Sequence, residues 1–386
     1  MFVKQKEQTF NPTANTARGR LRATARPDSF HSTRPGPLRA AALLLIALLL
    51  QSAQSASSSA QSGRKGASPK NLAQPGGASG FSGKRAFEHV KRLVEFGPHP
   101  AGSKAIENVR RYIIEELEGR NAPTILKPRS AGLRAAAGIK VNEDEWVADT
   151  PRGKVRMVNI VADLPGESDD TVIIASHYDT KPFKDFNFVG ANDGGSSTGA
   201  LLEIANVLKH SDEPRRFTYR FVFFDGEEAF CREWDECGKP DAPDNTYGSR
   251  HYVGLLRARN LLKNVRALIL LDMVGYDKLE LGRDDMSTPW LVDIIWKTAR
   301  EIGYAKQFVE RAEGVGGDDH APFLQAGVPS ADIIQLSSYP HWHTPEDTLD
   351  KISPFSLKAV GDAVTPLPVP EVGGSNAQSD RHTRSR

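Results

Sequence analysis

The stretch RFVFFDGEEAF, residues 220–230, is the part of this sequence that best indicates the fold. Its first half is short and apolar, which is typical of a strand buried on both faces of a sheet. Its second half turns abruptly to Asp225, Gly226, Glu227 and Glu228. The stretch therefore predicts a buried strand at residues 220–224 whose carboxyl end carries acidic side chains.

Four more runs of the same kind occur along the chain, at residues 157–164, 171–176, 267–272 and 331–336. Helical spacing of apolar residues separates them, for example at residues 196–210 and 290–302, and it also precedes the first of them. This alternation predicts an α/β fold with a mixed, mainly parallel central sheet flanked by helices. Active sites in such sheets lie beyond the carboxyl ends of the strands.

The composition changes sharply towards both ends of the chain. Residues 1–56 are interpreted as a signal peptide or N-terminal anchor with a long n-region, since the apolar run at residues 40–50 follows Arg34 and Arg39. That run is shorter than the ~20 residues of a membrane-spanning helix. Residues 57–83 are predicted to be a flexible linker, residues 84–363 a catalytic domain and residues 364–386 a disordered tail. We expect an exported protein, either secreted, periplasmic or anchored by this segment.

The charges and cysteines exclude some classes of protein. Lys and Arg number 50 and Asp and Glu number 48, so nothing indicates a nucleic acid or another polyanionic partner. Cys231 and Cys237 are the two cysteines, which excludes a disulfide scaffold. A single local bridge and two free thiols both remain open.

Four polar clusters end or closely follow predicted strands, and a fifth opens a predicted helix. They are residues 176–179 (SHYD), 190–195 (GANDGG), 224–228 (FDGEE), 271–273 (LDM) and 342–344 (WHT). Each cluster alone is commonplace, but together they place carboxylates and imidazoles at one edge of one sheet. Burying unpaired charges there is costly, and a divalent cation would offset that cost. Histidine and carboxylate ligands without cysteine suit a catalytic zinc ion and disfavour calcium.

The order of these residues resembles that of the zinc aminopeptidase clan, and within it the resemblance to glutaminyl-peptide cyclotransferases is closer. The resemblance extends from about residue 85 to about residue 360. Its most specific part is FFDGEEAF, followed by a loop with a tryptophan and then YGSR. The matching stretches are SHYDTK (176–181), FVGAND (188–193), FFDGEEAF (223–230), YGSRH (247–251), LLDMVG (270–275), DDHAPFL (318–324) and WHT (342–344).

The resemblance implies one zinc ion per chain, held by Asp193, Glu228 and His343. It also implies that Glu227 is the general acid and base. Asp272 and Asp318 are expected to form hydrogen bonds around Glu227 and the substrate amine.

Trp342 and Trp234 are expected to wall the substrate pocket. His177, with Asp179 behind it, is interpreted as either a supporting pair or part of a second metal site. The sequence therefore leaves the metal count open.

Four further residues are interpreted without a direct part in catalysis. His320 is expected to pack rather than to pair with the region of Asp318. His251 is expected to lie on a helix away from the metal, and Trp290 and Trp296 to be core residues of a helix. Asp332 is a departure, since animal cyclotransferases tend to carry a histidine there.

The expected reaction is cyclisation of N-terminal glutamine to pyroglutamate with release of ammonia, which is acyltransferase chemistry. Its substrates would be peptides or proteins with N-terminal glutamine, and membrane contact would arise only through an uncleaved N-terminal anchor. The alternative is a dinuclear zinc aminopeptidase that hydrolyses N-terminal residues. A binding ectodomain without activity is a third possibility, but the complete set of ligands argues against it.

Overall fold

The computed structural model describes residues 79–120 and 138–365. The signal or anchor segment predicted at residues 1–56 lies outside the described residues, as do residues 57–78 of the predicted linker and residues 366–386 of the predicted tail. Within these ranges the first helix begins at Gly83, where Ser82 accepts a hydrogen bond from the backbone of Arg85, and the last helix ends at Val364. None of the helices within the two described ranges is long and apolar enough to cross a membrane.

A six-stranded sheet forms the centre of the fold, in the order β1-β2-β4-β3-β7-β10. Three adjoining pairs are parallel (β4–β3, β3–β7 and β7–β10) and two are antiparallel (β1–β2 and β2–β4), which confirms the predicted mixed, mainly parallel sheet. The strands are β1 (Lys140–Thr150), β2 (Gly153–Leu164), β3 (Thr171–His177), β4 (Thr218–Phe224), β5 (Gly238–Lys239), β6 (Ala242–Pro243), β7 (Val265–Asp272), β8 (Leu281–Asp284), β9 (Phe308–Glu313) and β10 (Ser330–Ile334).

Helices cover both faces of this sheet. Along β3, Val172 and Ile174 belong to the larger apolar cluster, and Ile173 and Ala175 to the smaller one on the opposite face. The larger cluster includes residues of α1, α2, α3, α5 and α7, and the smaller one residues of α4 and α6. The helices are α1 (Gly83–Glu95), α2 (Lys104–Glu118), α3 (Gly195–Lys209), α4 (Tyr247–Ala258), α5 (Pro289–Glu301), α6 (Ala321–Gln325) and α7 (Pro354–Val364).

The structure contains all five predicted strands. It differs from the prediction in where some of these strands end and in having further strands that were not predicted. The run predicted at residues 331–336 ends at Ile334, two residues early. The long edge strand β1 was missed because most of its positions are polar and exposed, so it lacks the apolar run of a buried strand. The short β5–β6 and β8–β9 pairs were missed as well. Trp296 is fully buried in α5 and Trp290 packs half-buried against the same core, as predicted.

The parallel strands direct their carboxyl ends to one edge of the sheet. β3 ends at His177, β7 ends at Asp272, and Asp225 follows β4 directly. Since β4, β3, β7 and β10 are neighbours and parallel, the loops that follow them meet at this edge.

Candidate active site

Three loops bring Asp193, Glu228 and His343 together at this edge. Asp193 precedes α3, Glu228 follows β4, and His343 lies in the loop after β10. The His343 Nε2 atom lies 3.4 Å from Asp193 Oδ2 and 3.3 Å from Glu228 Oε1. The three ligand atoms all lie within 4.8 Å of one another. We call these three residues the primary triad.

The primary triad fits a divalent cation. Asp193 Oδ2 and Glu228 Oε2 are buried and have no hydrogen-bond partner. Burial and the neighbouring Glu228 carboxylate raise the pKa of Asp193 to about 7. Burial also opposes ionisation of Glu228, but His343 and Lys181 outweigh it and lower its pKa to about 2. Two carboxylates and one imidazole with an open side form the donor set of a catalytic zinc ion.

A buried carboxylate that the sequence analysis did not single out fixes the loop that carries Asp193. Asp347 accepts hydrogen bonds from the backbone N–H of Asn192 at 2.8 Å and of Asp193 at 3.1 Å. It also accepts one from the hydroxyl of Tyr339 at 2.6 Å. Such partners behind a ligand set its orientation. No motif marked Asp347, since it lies in an ordinary polar loop only four residues after His343.

Lys181 is a second residue whose position was not foreseen. Its side chain is almost fully buried, with the ammonium 3.5 Å from Glu228 Oε2 and donating to the carbonyl oxygen of Ala229 at 3.0 Å. A buried cation beside a ligand carboxylate keeps that carboxylate ionised. The stretch SHYDTK contained this lysine, but a lysine near a strand end gives no signal of burial.

A second group of ligands adjoins the primary triad. His177 Nε2 lies 3.3 Å from Asp193 Oδ1 and 3.2 Å from Asp272 Oδ1, and these three residues also lie within 4.8 Å of one another. Asp179 Oδ1 is 3.6 Å from His177 Nδ1 and also accepts the backbone N–H of Glu227 at 3.1 Å. Asp193 therefore belongs to both groups, and the donor set accommodates either one or two ions.

Glu227 lies beside the primary triad, with Oε2 3.9 Å from His177 Nδ1. Gly226, with a positive φ of 72°, makes the turn between β4 and the two glutamates, and a Cβ there would lie 2.7 Å from the sulfur of Met157. Burial raises the pKa of Glu227 well above its ordinary value, opposed by His177 and reinforced by Asp318. Glu227 therefore holds a proton more readily than an ordinary glutamate.

A cavity of about 250 Å³ opens over these groups. Asp272 and Asp318 line it together with Glu227, and burial followed by the charge of Asp272 raises the pKa of Asp318 to about 7. Trp234 and Trp342 also line it, and Trp342 is 40% exposed while stacking on His343 at a centroid distance of 4.2 Å. All the residues predicted for catalysis and for the pocket walls therefore meet at one cavity.

His320 does more than pack, which corrects the expectation from sequence. It is fully buried, with Nε2 3.3 Å from Asp284 and Nδ1 3.7 Å from Asp332. Both carboxylates are buried as well, so the imidazole lies between two acids that the linear sequence separates widely. His251 lies on α4, stacked on Trp146 and away from the primary triad, as predicted.

The two cysteines, for which two states were open, form a disulfide bond. It joins Cys231 to Cys237 and closes a loop that contains Trp234. We call residues 231–237 the disulfide loop.

The comparisons with known proteins agree with this geometry. The profile described as Peptidase family M28 matches residues 159–367. Over 292 residues the chain is 29% identical to the glutaminyl-peptide cyclotransferase of Bos taurus, covering 67% of this chain and 74% of that protein.

Two solved structures are similar to about three quarters of this chain. The glutaminyl cyclase of an Acidobacteriales bacterium superposes with a TM-score of 0.64 at 32% identity, covering 79% of this chain and 96% of that one. A Zn-dependent exopeptidase from Parabacteroides distasonis superposes with a TM-score of 0.63 at 27% identity, covering 74% and 97%.

Proposed function

Because this chain belongs to peptidase family M28, whose profile spans more than half of it, we propose that it is a zinc-dependent glutaminyl-peptide cyclotransferase. The reaction closes the N-terminal glutamine of a peptide or protein into pyroglutamate and releases ammonia. The observation that carries the proposal is the small, tryptophan-walled cavity that Glu227 lines together with the primary triad. The cyclotransferase from Bos taurus and the bacterial glutaminyl cyclase are relatives with that activity in their names.

Asp193, Glu228 and His343 would hold the metal, one ion per chain. Zinc bound there supplies a Lewis acid for the γ-carbonyl oxygen of the substrate. Asp347 keeps Asp193 in position by accepting its backbone N–H, and Lys181 keeps Glu228 ionised.

The side chains around the cavity carry the proton chemistry. The α-amine nitrogen of the substrate forms a bond to its own γ-amide carbon, and the bond from that carbon to the amide nitrogen breaks. Glu227 accepts a proton from the attacking amine and delivers one to the departing ammonia. Asp272 and Asp318 accept hydrogen bonds from the amine and hold it towards Glu227.

The walls of the cavity decide which nucleophile reacts. Trp234 and Trp342 line the cavity, and with substrate bound they would exclude water from the space beside the amide carbon. The intramolecular amine then competes with little solvent, and hydrolysis is disfavoured.

A dinuclear zinc aminopeptidase is the second candidate. It is favoured by the second group of ligands, His177, Asp193 and Asp272, which lies ready for another ion. The Parabacteroides exopeptidase of similar fold is consistent with it. The two candidates differ in product, since hydrolysis releases a free amino acid and cyclisation does not.

Mass spectrometry of the zinc-loaded protein with two peptides separates these functions. A peptide beginning with glutamine is expected to lose the mass of one ammonia, while an otherwise identical peptide beginning with leucine stays intact. Release of free leucine, with the glutamine peptide unchanged, would replace the proposal by the aminopeptidase. The Glu227→Gln variant, which keeps all three residues of the primary triad, serves as the matched control.

We also propose that the protein is exported. The apolar run at residues 40–50 supports export, and the Cys231–Cys237 disulfide suits an oxidising compartment. Fractionation of expressing cells tests this proposal. Finding the protein only in the cytosolic fraction, with Cys231 and Cys237 reduced, would contradict export.

A further inference from the structure

The disulfide loop has a fixed position at the mouth of the substrate cavity. Besides the bond between its ends, the backbone N–H of Cys231 donates to Asp244 at 2.8 Å. The side chain of Asn245 donates to the carbonyl oxygen of Trp234 at 3.2 Å. The loop is therefore tied to the segment that leads into α4, and what it presents to the cavity is held in place.

Asp235 is the charged group that this loop presents. It lines the cavity beside Trp234, but its side chain is exposed, whereas the ligands Asp193 and Glu228 at the inner end are 3% and 2% exposed. Asp235 therefore lies at the outer end of the cavity. Within residues 79–120 and 138–365 it has no ion pair or hydrogen-bond partner. Arg232 of the same loop does not neutralise it, because Arg232 pairs with Asp185 at 2.9 Å.

The lining of the cavity is rich in acidic side chains. Among the described residues that line it, none is a lysine or an arginine and six are acidic. A metal ion held by the primary triad would offset the carboxylates at the inner end, but Asp235 lies beyond the primary triad. The acidic residues are Asp193, Glu227, Glu228, Asp235, Asp272 and Asp318.

A peptide substrate has to pass this carboxylate. Its N-terminal glutamine reacts at the inner end, so the residues that follow leave through the mouth between Asp235 and the exposed Trp342. The second residue of the peptide is then the first to reach the outer end.

We propose that Asp235, held by the disulfide loop, makes the enzyme prefer peptides with lysine or arginine directly after the N-terminal glutamine. This inference rests on the proposed cyclotransferase function. The attraction acts in a solvated mouth, so its effect on kcat/KM is modest, about two- to fivefold between lysine and glutamate. It weakens as salt is added.

The test compares the rate of ammonia release from three peptides of equal length that begin Gln-Lys, Gln-Ala and Gln-Glu. The zinc-loaded full chain is expected to show the highest kcat/KM on the first and the lowest on the last. In Asp235→Asn the ratio between the lysine and glutamate peptides should fall towards one. Glu233→Gln is the matched control, since it removes the same charge from the same loop at a residue that does not line the cavity.

The outcomes separate this inference from the proposed function. If the protein releases no ammonia from the Gln-Ala peptide, the cyclotransferase function fails and the selectivity with it. If all three peptides are cyclised with equal kcat/KM, only the assignment of Asp235 fails. The assignment also fails if Asp235→Asn and Glu233→Gln lower the ratio equally, because the loop would then act through its total charge.

Discussion

Replacing Asp347 by asparagine is expected to weaken metal binding although no ligand is removed. The Asp347 carboxylate is 1% exposed and accepts three hydrogen bonds. Oδ1 accepts from the backbone of Asn192 and from the hydroxyl of Tyr339, while Oδ2 accepts from the backbone of Asp193. The asparagine amide has one accepting oxygen, and two donors meet at the Oδ1 position. Its NH₂ group therefore turns towards the N–H of Asp193, where two donors then face each other.

The size of the effect follows from these three bonds. A hydrogen bond to a charged group contributes about 1.5–3 kcal/mol and a neutral one about 0.5–1.5 kcal/mol. One bond is lost and two become neutral, so we expect the free energy of unfolding to fall by roughly 3 kcal/mol, allowing for relaxation of the loop. The ligand Asp193 loses its backbone anchor, and the affinity for zinc should fall by about 10- to 100-fold.

Competition with a chelator measures the zinc affinity of the folded variant, and denaturant unfolding measures its stability. Asp350→Asn is the control, because Asp350 is an exposed carboxylate three residues away that pairs with Lys351. An Asp347→Asn protein that is less stable but binds zinc as tightly as the unmodified protein would refute the idea that Asp347 acts on the metal site.

Three further substitutions test other parts of the structure. Glu227→Gln should lower kcat by about 10²- to 10⁴-fold with zinc content unchanged, since an amide cannot shuttle protons, and steady-state kinetics will measure it. Gly194→Ala should cost about 1–3 kcal/mol in denaturant unfolding, because Gly194 has a φ of 76° and a Cβ there would lie 2.9 Å from His177. His89→Gln should remove part of the acid sensitivity. Burial lowers the pKa of His89 to about 4 from 6.5, so the unfolded chain takes up the proton first and stability is lost as pH falls from 6.5 towards 4. Since the ring is only half-buried, we expect this loss to be roughly 1–2 kcal/mol, measured by urea unfolding at several pH values.

Each of these has a result that would contradict it. Near-normal turnover by Glu227→Gln would contradict the role of Glu227 as the proton shuttle. Gly97→Ala is the control for Gly194→Ala, because Gly97 has a similar φ of 73° but nothing within 4 Å of an added Cβ. If both alanine variants lose the same free energy of unfolding, the cost comes from backbone strain alone and the contact with His177 contributes nothing. A His89→Gln protein with the pH dependence of the unmodified chain would contradict the assignment to His89.

The central strands and the ligands were predictable because local sequence encodes them directly. A strand buried on both faces has to be apolar at every position, as in residues 221–224, and the first polar residue after it marks the carboxyl end. Because neighbouring parallel strands end at one edge, the order of strands and polar clusters along the chain is enough to predict that His177, Asp272 and the Glu227–Glu228 pair lie near one another.

Other features depend on tertiary contacts that no short stretch of sequence encodes. β1 is stabilised by pairing with β2 along its whole length rather than by burial, so its polar sequence KVNEDEWVADT resembles a loop. Asp347 meets the backbone of Asn192 across 155 positions of chain. His320 meets Asp284 and Asp332 only because α6, β8 and β10 pack together. The expectation that His320 merely packs was wrong for this reason.

The order of the primary triad along the chain has a consequence for how the protein is made. A ribosome delivers Asp193 first, Glu228 next and His343 last, more than a hundred residues later. A nascent chain that ends at Ile334 already has every strand of the central sheet but lacks the imidazole that completes the set. Tight binding of a metal by this triad therefore has to wait until His343 has been added, after the last strand of the central sheet, and a cation held there marks a chain whose sheet is complete.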